Sequence, residues 1–317
     1  MKKAVIVAVS GGRDSQWAGE LLLNQGWEVY GLHLRMLDMP VSFPSYAFPV
    51  DVIDVRDKFH SEVIDYFIES YKRGITPNPC IICNLKIKYS ELARVAQEKG
   101  IEYIATGHYA RIKEGKILRA NNPHKDQSYF LCALNLQKLP KILLPLGEET
   151  STLAPPPSYH SSQEVCFLKG AKLQEFLSKH IKEDLSGEIV DTSGKVLGYH
   201  RGYHLFTIGQ RRGIGISHTC PLYVVRIVPE EHKVVVGEEK ELYSQSTLIL
   251  PYHIPEHIPK TVLAQIRYRH TPAPATLKEQ EGKLKVSFFS PQRAITPGQF
   301  IALYTDELLL GGGEIQP

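Results

Sequence analysis

The sequence predicts an α/β fold: a parallel sheet wound on both faces by helices, followed by smaller β modules toward the C-terminus. Three observations carry that prediction. Roughly the first 150 residues alternate short β-branched apolar runs with segments of helical period. A proline-rich break, with Pro155, Pro156 and Pro157, interrupts the chain between Ala154 and Ser162. From Gly187 onward short β-type runs dominate, punctuated by closely spaced turn residues.

Each element has a local reason. Ala4–Val9 is a short apolar run of buried-strand type. Ser15–Gln25 places Ala18, Leu21 and Leu22 at helical spacing, and Gly26 stops it. Glu28–Leu34 and Val50–Val55 read as strands. His60–Lys72 repeats Val63, Ile64, Phe67 and Ile68 on one helical face. Ser90–Lys99 is a further helix ending at Gly100, and Tyr103–Thr106 is a strand that runs into Gly107-His108. The segment 154–162 is a loop or linker. Tyr223–Val228, Lys233–Val236, Val262–Arg267, Lys283–Phe289 and Phe300–Tyr304 are the later β runs, and their spacing suggests a barrel at the C-terminus.

Composition narrows the class. The 317 residues carry 37 Lys and Arg against 34 Asp and Glu, a net charge of +3, with 43% hydrophobic and 22% charged residues. These values exclude a wholly disordered chain, a collagen repeat or a coiled-coil rod. A net charge this small leaves nucleic-acid contact to local patches. Five cysteines are too few, and odd in number, for a disulfide-stapled secreted domain. Lys2 and Lys3 precede only six apolar residues, too short a run for a leader peptide. No run approaches the ~18 apolar residues of a membrane span. The expectation is a soluble cytoplasmic protein with reduced thiols and no membrane partner.

Two segments carry chemistry. Ala8-Val9-Ser10-Gly11-Gly12-Arg13-Asp14-Ser15 leaves a strand and opens a helix. Its glycines let backbone N–H groups approach an anion, and the helix N-terminus adds donors and positive potential. Asp14 is placed either to hold Mg²⁺ or to cap the helix; the alternative reading is a tight turn with Asp14 or Ser15 as an ordinary N-cap. The G-x-x-x-x-G-K-[ST] and G-x-G-x-x-G loops are absent. The second segment is Thr76-Pro77-Asn78-Pro79-Cys80-Ile81-Ile82-Cys83-Asn84, leading into a helical pattern over Lys86–Glu98. Cysteines near a helix N-terminus with Lys86 and Lys88 close by are expected to have lowered pKa values. Half a zinc site is the competing reading, and no second Cys-x-x-Cys completes it. Cys166 by itself reads as a small buried residue, and Cys132 and Cys220 as packing residues in a helical and a β stretch.

Ser-Gly-Gly-x-Asp-Ser after a first strand resembles the PP-loop of the N-type ATP pyrophosphatases. Taken with Asn78–Asn84, Ile87-Lys88, Ala105–Tyr109, Lys125–Leu131, Leu144–Gly147, Ser162–Phe167, Phe206–Gly213, Ile266–His270 and Thr296–Gln299, the chain resembles the tRNA-specific 2-thiouridylases over most of its length. That resemblance implies a Rossmann-like PP-loop domain over 1–168, a central β-rich domain over 169–245 and a β-barrel-like tRNA-contacting domain over 246–317. It implies ATP on Ala8, Val9, Ser10, Gly11, Gly12, Arg13, Asp14 and Ser15, with Leu34 and Gly107 near the adenosine. The reaction it implies is 2-thiolation of the wobble uridine. Oxygen 2 of the base attacks the α-phosphate of ATP and pyrophosphate leaves. Cys166 then matches a persulfide carrier charged by a sulfur-donor or relay protein, and Cys83 the cysteine that resolves it as a disulfide. Asn78, Pro79 and Cys80 match the segment touching the base. His108, Lys125, Asp126, Gln127, Arg267, Tyr268 and Gln299 match tRNA-contacting positions.

The chain departs from that family in five places. Arg13 stands where a small apolar residue is usual, and Gln16 where serine is usual. The stretches between Leu34 and Val50 and between Gly147 and Gln163 each lack a helix, the second of which is expected to loosen the Cys166 loop. Cys80 replaces an aspartate found in many members. Cys80, Cys83 and Cys166 with one open position would suit a [4Fe–4S] cluster whose open iron carries hydrosulfide, as an alternative to the persulfide route. Two other functions compete. One is a PP-loop enzyme adenylating a different acceptor, against which the thiols argue. The other is a tRNA-binding relative without activity, against which Asp14 and the retained cysteines argue.

Overall fold

A computed structural model describes residues 3–39, 45–149, 165–168 and 170–317 of the protein. The proline-rich stretch 154–162 and the Ser162–Glu164 part of the cysteine motif lie outside the described residues.

The first sheet is parallel. Its strands are β1 (Ala4–Ala8), β2 (Glu28–Arg35), β3 (Val50–Asp54), β4 (Tyr103–Ala105) and, beyond a hairpin of β5 (Ala110–Lys113) and β6 (Lys116–Arg119), β7 (Lys141–Leu143). The order is β3-β2-β1-β4-β7. Val5, Ile6 and Val7 of β1 are at most 1% exposed, as a continuous apolar run in a central parallel strand requires. The order reverses between β1 and β4, so the connections that leave their C-terminal ends run to opposite faces of the sheet and border a crevice, the place where open α/β sheets hold ligands.

The helices follow the apolar periods, with one recurrent irregularity. Helix α1 spans Arg13–Asn24. The chain from Arg56 to Lys72 is helical, with a wide π turn at His60–Ile64. A second such helix starts at Pro79, two turns earlier than the apolar period alone suggests, and runs to Lys99 with a π turn at Asn84–Lys88. Pro79 at its first position and Asn78 as its N-cap, accepting from Ile81 N–H at 3.3 Å, explain the early start. Cys80 and Cys83 therefore lie in a first helical turn, not in the loop before it.

A four-stranded sheet follows: β8 (Gly187–Asp191), β9 (Val196–His200), β10 (Tyr223–Val228) and β11 (Lys233–Gly237), in the order β10-β11-β8-β9. The last strands are β12 (Tyr243–His253), β13 (Thr261–Gln265), β14 (Ala273–Gln280), β15 (Lys283–Arg293), β16 (Phe300–Thr305) and β17 (Leu308–Ile315). Their antiparallel order β12-β15-β14-β13-β16-β17 closes through a β12–β17 pairing into a barrel. Ile249, Val262, Val286, Phe288, Ile301 and Leu303 fill its core. The β5–β6 hairpin, which lies in the first half of the sequence, adds to this barrel: Leu118 pairs with Leu308. Tyr304 and Phe300 of the barrel accordingly share one core cluster with Tyr129 and Leu131 of the first half.

A candidate nucleotide and sulfur site

The loop after β1 is folded on its own side chains. Gly11 has φ of 79°, a left-handed conformation that glycine adopts without strain. Ser15 Oγ donates to Gly12 O at 2.7 Å and accepts from Ser10 N–H at 3.1 Å, and Ser10 Oγ accepts from Gly12 N–H at 3.2 Å. The N-cap of α1 is Gly12, which offers no side chain, so neither Asp14 nor Ser15 is the cap. The first turn of α1 thus keeps its backbone donors for an anion.

The opposite wall of the crevice is the end of β4. A Cβ on Gly107 would lie 3.0 Å from the Asp14 carbonyl carbon and 3.1 Å from Ser15 N, so only glycine lets the two backbones meet. Tyr109 Oη donates to Asp14 Oδ1 at 3.0 Å, and Lys125 Nζ stands 4.9 Å from the Tyr109 ring centre. Burial and the Asp14 charge push the Tyr109 hydroxyl pKa up, opposed by the nearby Arg13. Arg13 itself is exposed at the start of α1. Leu34 is buried at the C-terminal end of β2, on the same edge of the sheet. Tyr46 adds to the loop from the shortened segment, its hydroxyl directed at Gly11 and Ser15. No sequence pattern singled it out, because its role depends on the neighbouring Phe48 fitting against Gly19 and Gly31.

His108 links this half to the thiols. Its Nδ1 is 2.8 Å from Thr106 Oγ1, which is 3.1 Å from Tyr89 Oη. Burial, and then the like charge of Lys88, push the His108 pKa down to about 3, so the ring is neutral near pH 7. Lys88 also acts on Cys80, Cys83 and Cys166. The three thiols influence one another electrostatically: Cys166 and Cys80 each raise the pKa of Cys83, and Cys80 raises that of Cys166. Cys166 arrives there because Phe167 is buried among Phe59, Phe67 and Phe176, with ring centres 5.1–6.1 Å away.

The cysteines differ from the sequence expectation in three respects. Burial raises the pKa of Cys80, Cys83 and Cys166, that of Cys83 to about 12, while Lys88 only partly opposes the rise. Cys80 presents surface to solvent, but it is crowded by protein atoms and shares the upward shift. Cys83 is 6% exposed and its sulfur lies 4.0 Å from Met36 Sδ. Near pH 7 these are thiols rather than thiolates. Cys166 is exposed, not a buried packing residue. Cys220 lies in a loop before β10, with its sulfur 3.3 Å from His218 Nδ1, and not in a strand. Cys132 is fully buried, as expected of packing.

The fit of metals can be judged from the donors. A [4Fe–4S] cluster needs its thiolates converging on one point, and the described residues contain no group of three or more His, Cys, Asp or Glu placed to hold a metal ion. Cys80, Cys83 and Cys166 therefore do not form a cluster cradle in this conformation. Mg²⁺ asks less of the protein, one or two carboxylates plus substrate phosphates, and Asp14 at the mouth of the loop fits that role.

The residues matched to tRNA contact fall into two groups. Asp126 turns inward: its carboxylate accepts from Arg119 Nη1, Ala120 N–H, Ser128 N–H and Ser128 Oγ at 3.0–3.2 Å. Gln127 is bonded to the Tyr109 backbone, Gln299 Nε2 donates to Thr76 O and Pro77 O at 3.0 and 3.2 Å, and Arg267 Nη1 donates to Arg293 O at 3.2 Å. Gln299 thereby ties the barrel to the strap that delivers Asn78, Pro79 and Cys80. Lys125, His108 and Tyr268 form the second group, each set against an aromatic ring: Tyr109, Tyr89 and Phe130 respectively. The Tyr268 ring lies 4.5 Å from that of Phe130.

Comparison with known proteins gives the family. Residues 44–170 match the tRNA methyl transferase HUP domain, 174–238 the tRNA methyl transferase PRC-barrel domain, and 247–315 the aminomethyltransferase β-barrel domain. The tRNA-specific 2-thiouridylase MnmA of Carboxydothermus hydrogenoformans is 39% identical over 363 residues, covering 99% of this chain and 98% of that protein. The chain belongs to the tRNA-specific 2-thiouridylase family. The thiouridylase of Caldicellulosiruptor saccharolyticus is 38% identical over 360 residues, covering 100% of this chain and 99% of its own, and that of Chlorobium phaeovibrioides 37% over 347 residues, covering 98% and 97%. These alignments exceed the 317-residue chain, so the relatives carry sequence that this 2-thiouridylase homologue lacks. The first domain match begins only at residue 44, after the Ser10–Ser15 loop.

Proposed function

We propose that this protein is an ATP-dependent tRNA-uridine 2-sulfurtransferase acting in the cytoplasm. One observation carries the reading. Gly107 and His108, adjacent in sequence, face the two halves of the site: Gly107 abuts Asp14 and Ser15 of the nucleotide loop, and His108 shares Lys88 with Cys80, Cys83 and Cys166. On this reading the base is held between them, with the nucleotide on one side and the thiols on the other.

The loop from Ala8 to Ser15 holds ATP, with its phosphates on the backbone donors of α1 and its adenosine toward Leu34. Asp14, fixed by Tyr109, would hold Mg²⁺, which neutralises charge developing on the phosphates. The uridine oxygen attacks the α-phosphate and pyrophosphate leaves. A carbonyl oxygen is a poor leaving group, and its AMP ester a good one. Cys166, exposed, receives a sulfane sulfur from a donor or relay protein. That sulfur attacks carbon 2 and AMP departs. Cys83 then attacks Cys166 Sγ, which breaks the S–S bond, leaves the outer sulfur on carbon 2 and forms a Cys83–Cys166 disulfide for an external thiol to reduce. Asn78, Pro79 and Cys80 border the base, while Lys125, Tyr268 and Arg267 lie on the tRNA side. The domains divide near 168 and 245.

Mass spectrometry of nucleosides from tRNA incubated with the protein, ATP and a persulfide source tests this. 2-Thiouridine that appears only with ATP is the expected result. Pyrophosphate release without thiolation would mean a different acceptor.

A further inference from the structure

One polar atom of the residue that follows Cys83 has no partner among the described residues. Asn84 follows Cys83 at the start of the π turn and is 2% exposed. Its Nδ2 donates to Phe130 O at 3.0 Å. A carbonyl only accepts, so this bond fixes which end of the amide is which. The other end, Oδ1, is buried with no hydrogen-bond partner among the described residues. Buried side-chain oxygens are normally paired, and an orphan of this kind marks an absent group.

We propose that Asn84 Oδ1 accepts the N3–H of the target uracil and that Asn84 selects uridine over cytidine. This rests on the thiouridylase reading. The chemistry at carbon 2 does not discriminate, because uracil and cytosine carry the same C2 carbonyl. They differ at N3, which bears a proton in uracil and a lone pair in cytosine. N3 is bonded directly to C2. A base whose C2 reaches the thiols therefore brings N3 close to the residue that follows Cys83. An amide whose orientation is locked by Phe130 presents an acceptor only. It pairs with uracil and sets two lone pairs against each other with cytosine. Cys83 and Asn84 are successive residues of the helix and both are enclosed in the structure, so the proposal requires the base to open the site at both. The same enclosure keeps water from competing for Oδ1.

The test compares one tRNA carrying uridine, cytidine or 3-deazauridine at the wobble position; the last keeps the C2 carbonyl and replaces N3–H by C–H. The wild-type protein is expected to thiolate uridine about 10- to 100-fold faster than 3-deazauridine, and cytidine more slowly still. Asn84→Ala is expected to lose a similar factor on uridine, treat uridine and 3-deazauridine alike, and bind tRNA within threefold of wild type. Equal preference for uridine in wild type and Asn84→Ala overturns the proposal. If the variant does not fold, the wild-type comparison decides: equal rates on uridine and 3-deazauridine overturn it. Wild-type protein that thiolates none of the three overturns the thiouridylase reading as well, which separates the two failures.

Discussion

The nucleotide loop and the thiol cluster lie on the two sides of one β4 terminus, yet they are in different states of readiness. In the loop, Ser10, Gly12 and Ser15 have already made their mutual bonds, and Gly107 presses on the helix start. An anion needs only to dock on donors that are already aimed. At the thiols, Lys88 opposes the burial of Cys83 without overcoming it. The proposed sulfur transfer therefore needs an event that opens the site or brings compensating charge. For that proposal the contrast sets an order: nucleotide binding to a rigid end, then activation of an enclosed end by the arriving tRNA.

That contrast can be broken by substitution. Cys83→Ser and Cys166→Ser should each lower thiolation at least about 10³-fold, because a hydroxyl cannot carry or resolve a persulfide. Pyrophosphate release with tRNA and tRNA affinity should persist in both. Loss of tRNA binding in both variants would instead make the cysteines structural. If the thiols are sheathed, iodoacetamide should alkylate Cys83 roughly 10²-fold more slowly than a free thiol at pH 8, as peptide mass spectrometry would report. The sign follows from the raised pKa: the thiolate fraction, and so the rate, should climb as pH rises toward about 12. Fast labelling at pH 8 would show that the apo protein already exposes it. Gly107→Val should cost about 1–3 kcal/mol of stability and lower ATP-dependent pyrophosphate release about 10²-fold, since its Cβ meets backbone and not a movable side chain. Normal pyrophosphate release in that variant would mean the loop is not pre-formed. Gln299→Ala removes two bonds to the Thr76–Pro77 strap and should lower stability by about 1–2 kcal/mol in urea melts. A variant as stable as wild type would leave Gln299 free to serve tRNA alone.

The two regions were also unequally legible. The Ser10–Ser15 loop is contiguous and its function is written in glycines and hydroxyls, so residues alone pointed to an anion site. The cysteines are 83 positions apart, and only the resemblance joined them. Phe167 is what brings them together physically, through an aromatic cluster that no local pattern encodes. The pKa reading went the other way from expectation because helix N-terminus and lysine are local features, whereas burial is not. The β5–β6 hairpin illustrates the same limit: Glu114 and Gly115, both with positive φ, make a tight turn that sequence can suggest, but its docking on β17 depends on a strand almost 200 residues away.

By itself, then, the sequence determined the alternation of strands and helices, the change to β modules and the family, and it pointed to the loop proposed to hold an anion. These follow from periodicity and from residue types that act where they stand. Tertiary structure alone decided that Gly107 closes on Asp14, that burial outweighs Lys88 in raising the pKa of three thiols, and that Asn84, next after Cys83, keeps an oxygen without a partner among the described residues. Each of these depends on the distance and solvent exclusion between segments far apart in the chain. Coulomb and desolvation energies follow that spatial arrangement, which sequence separation does not measure.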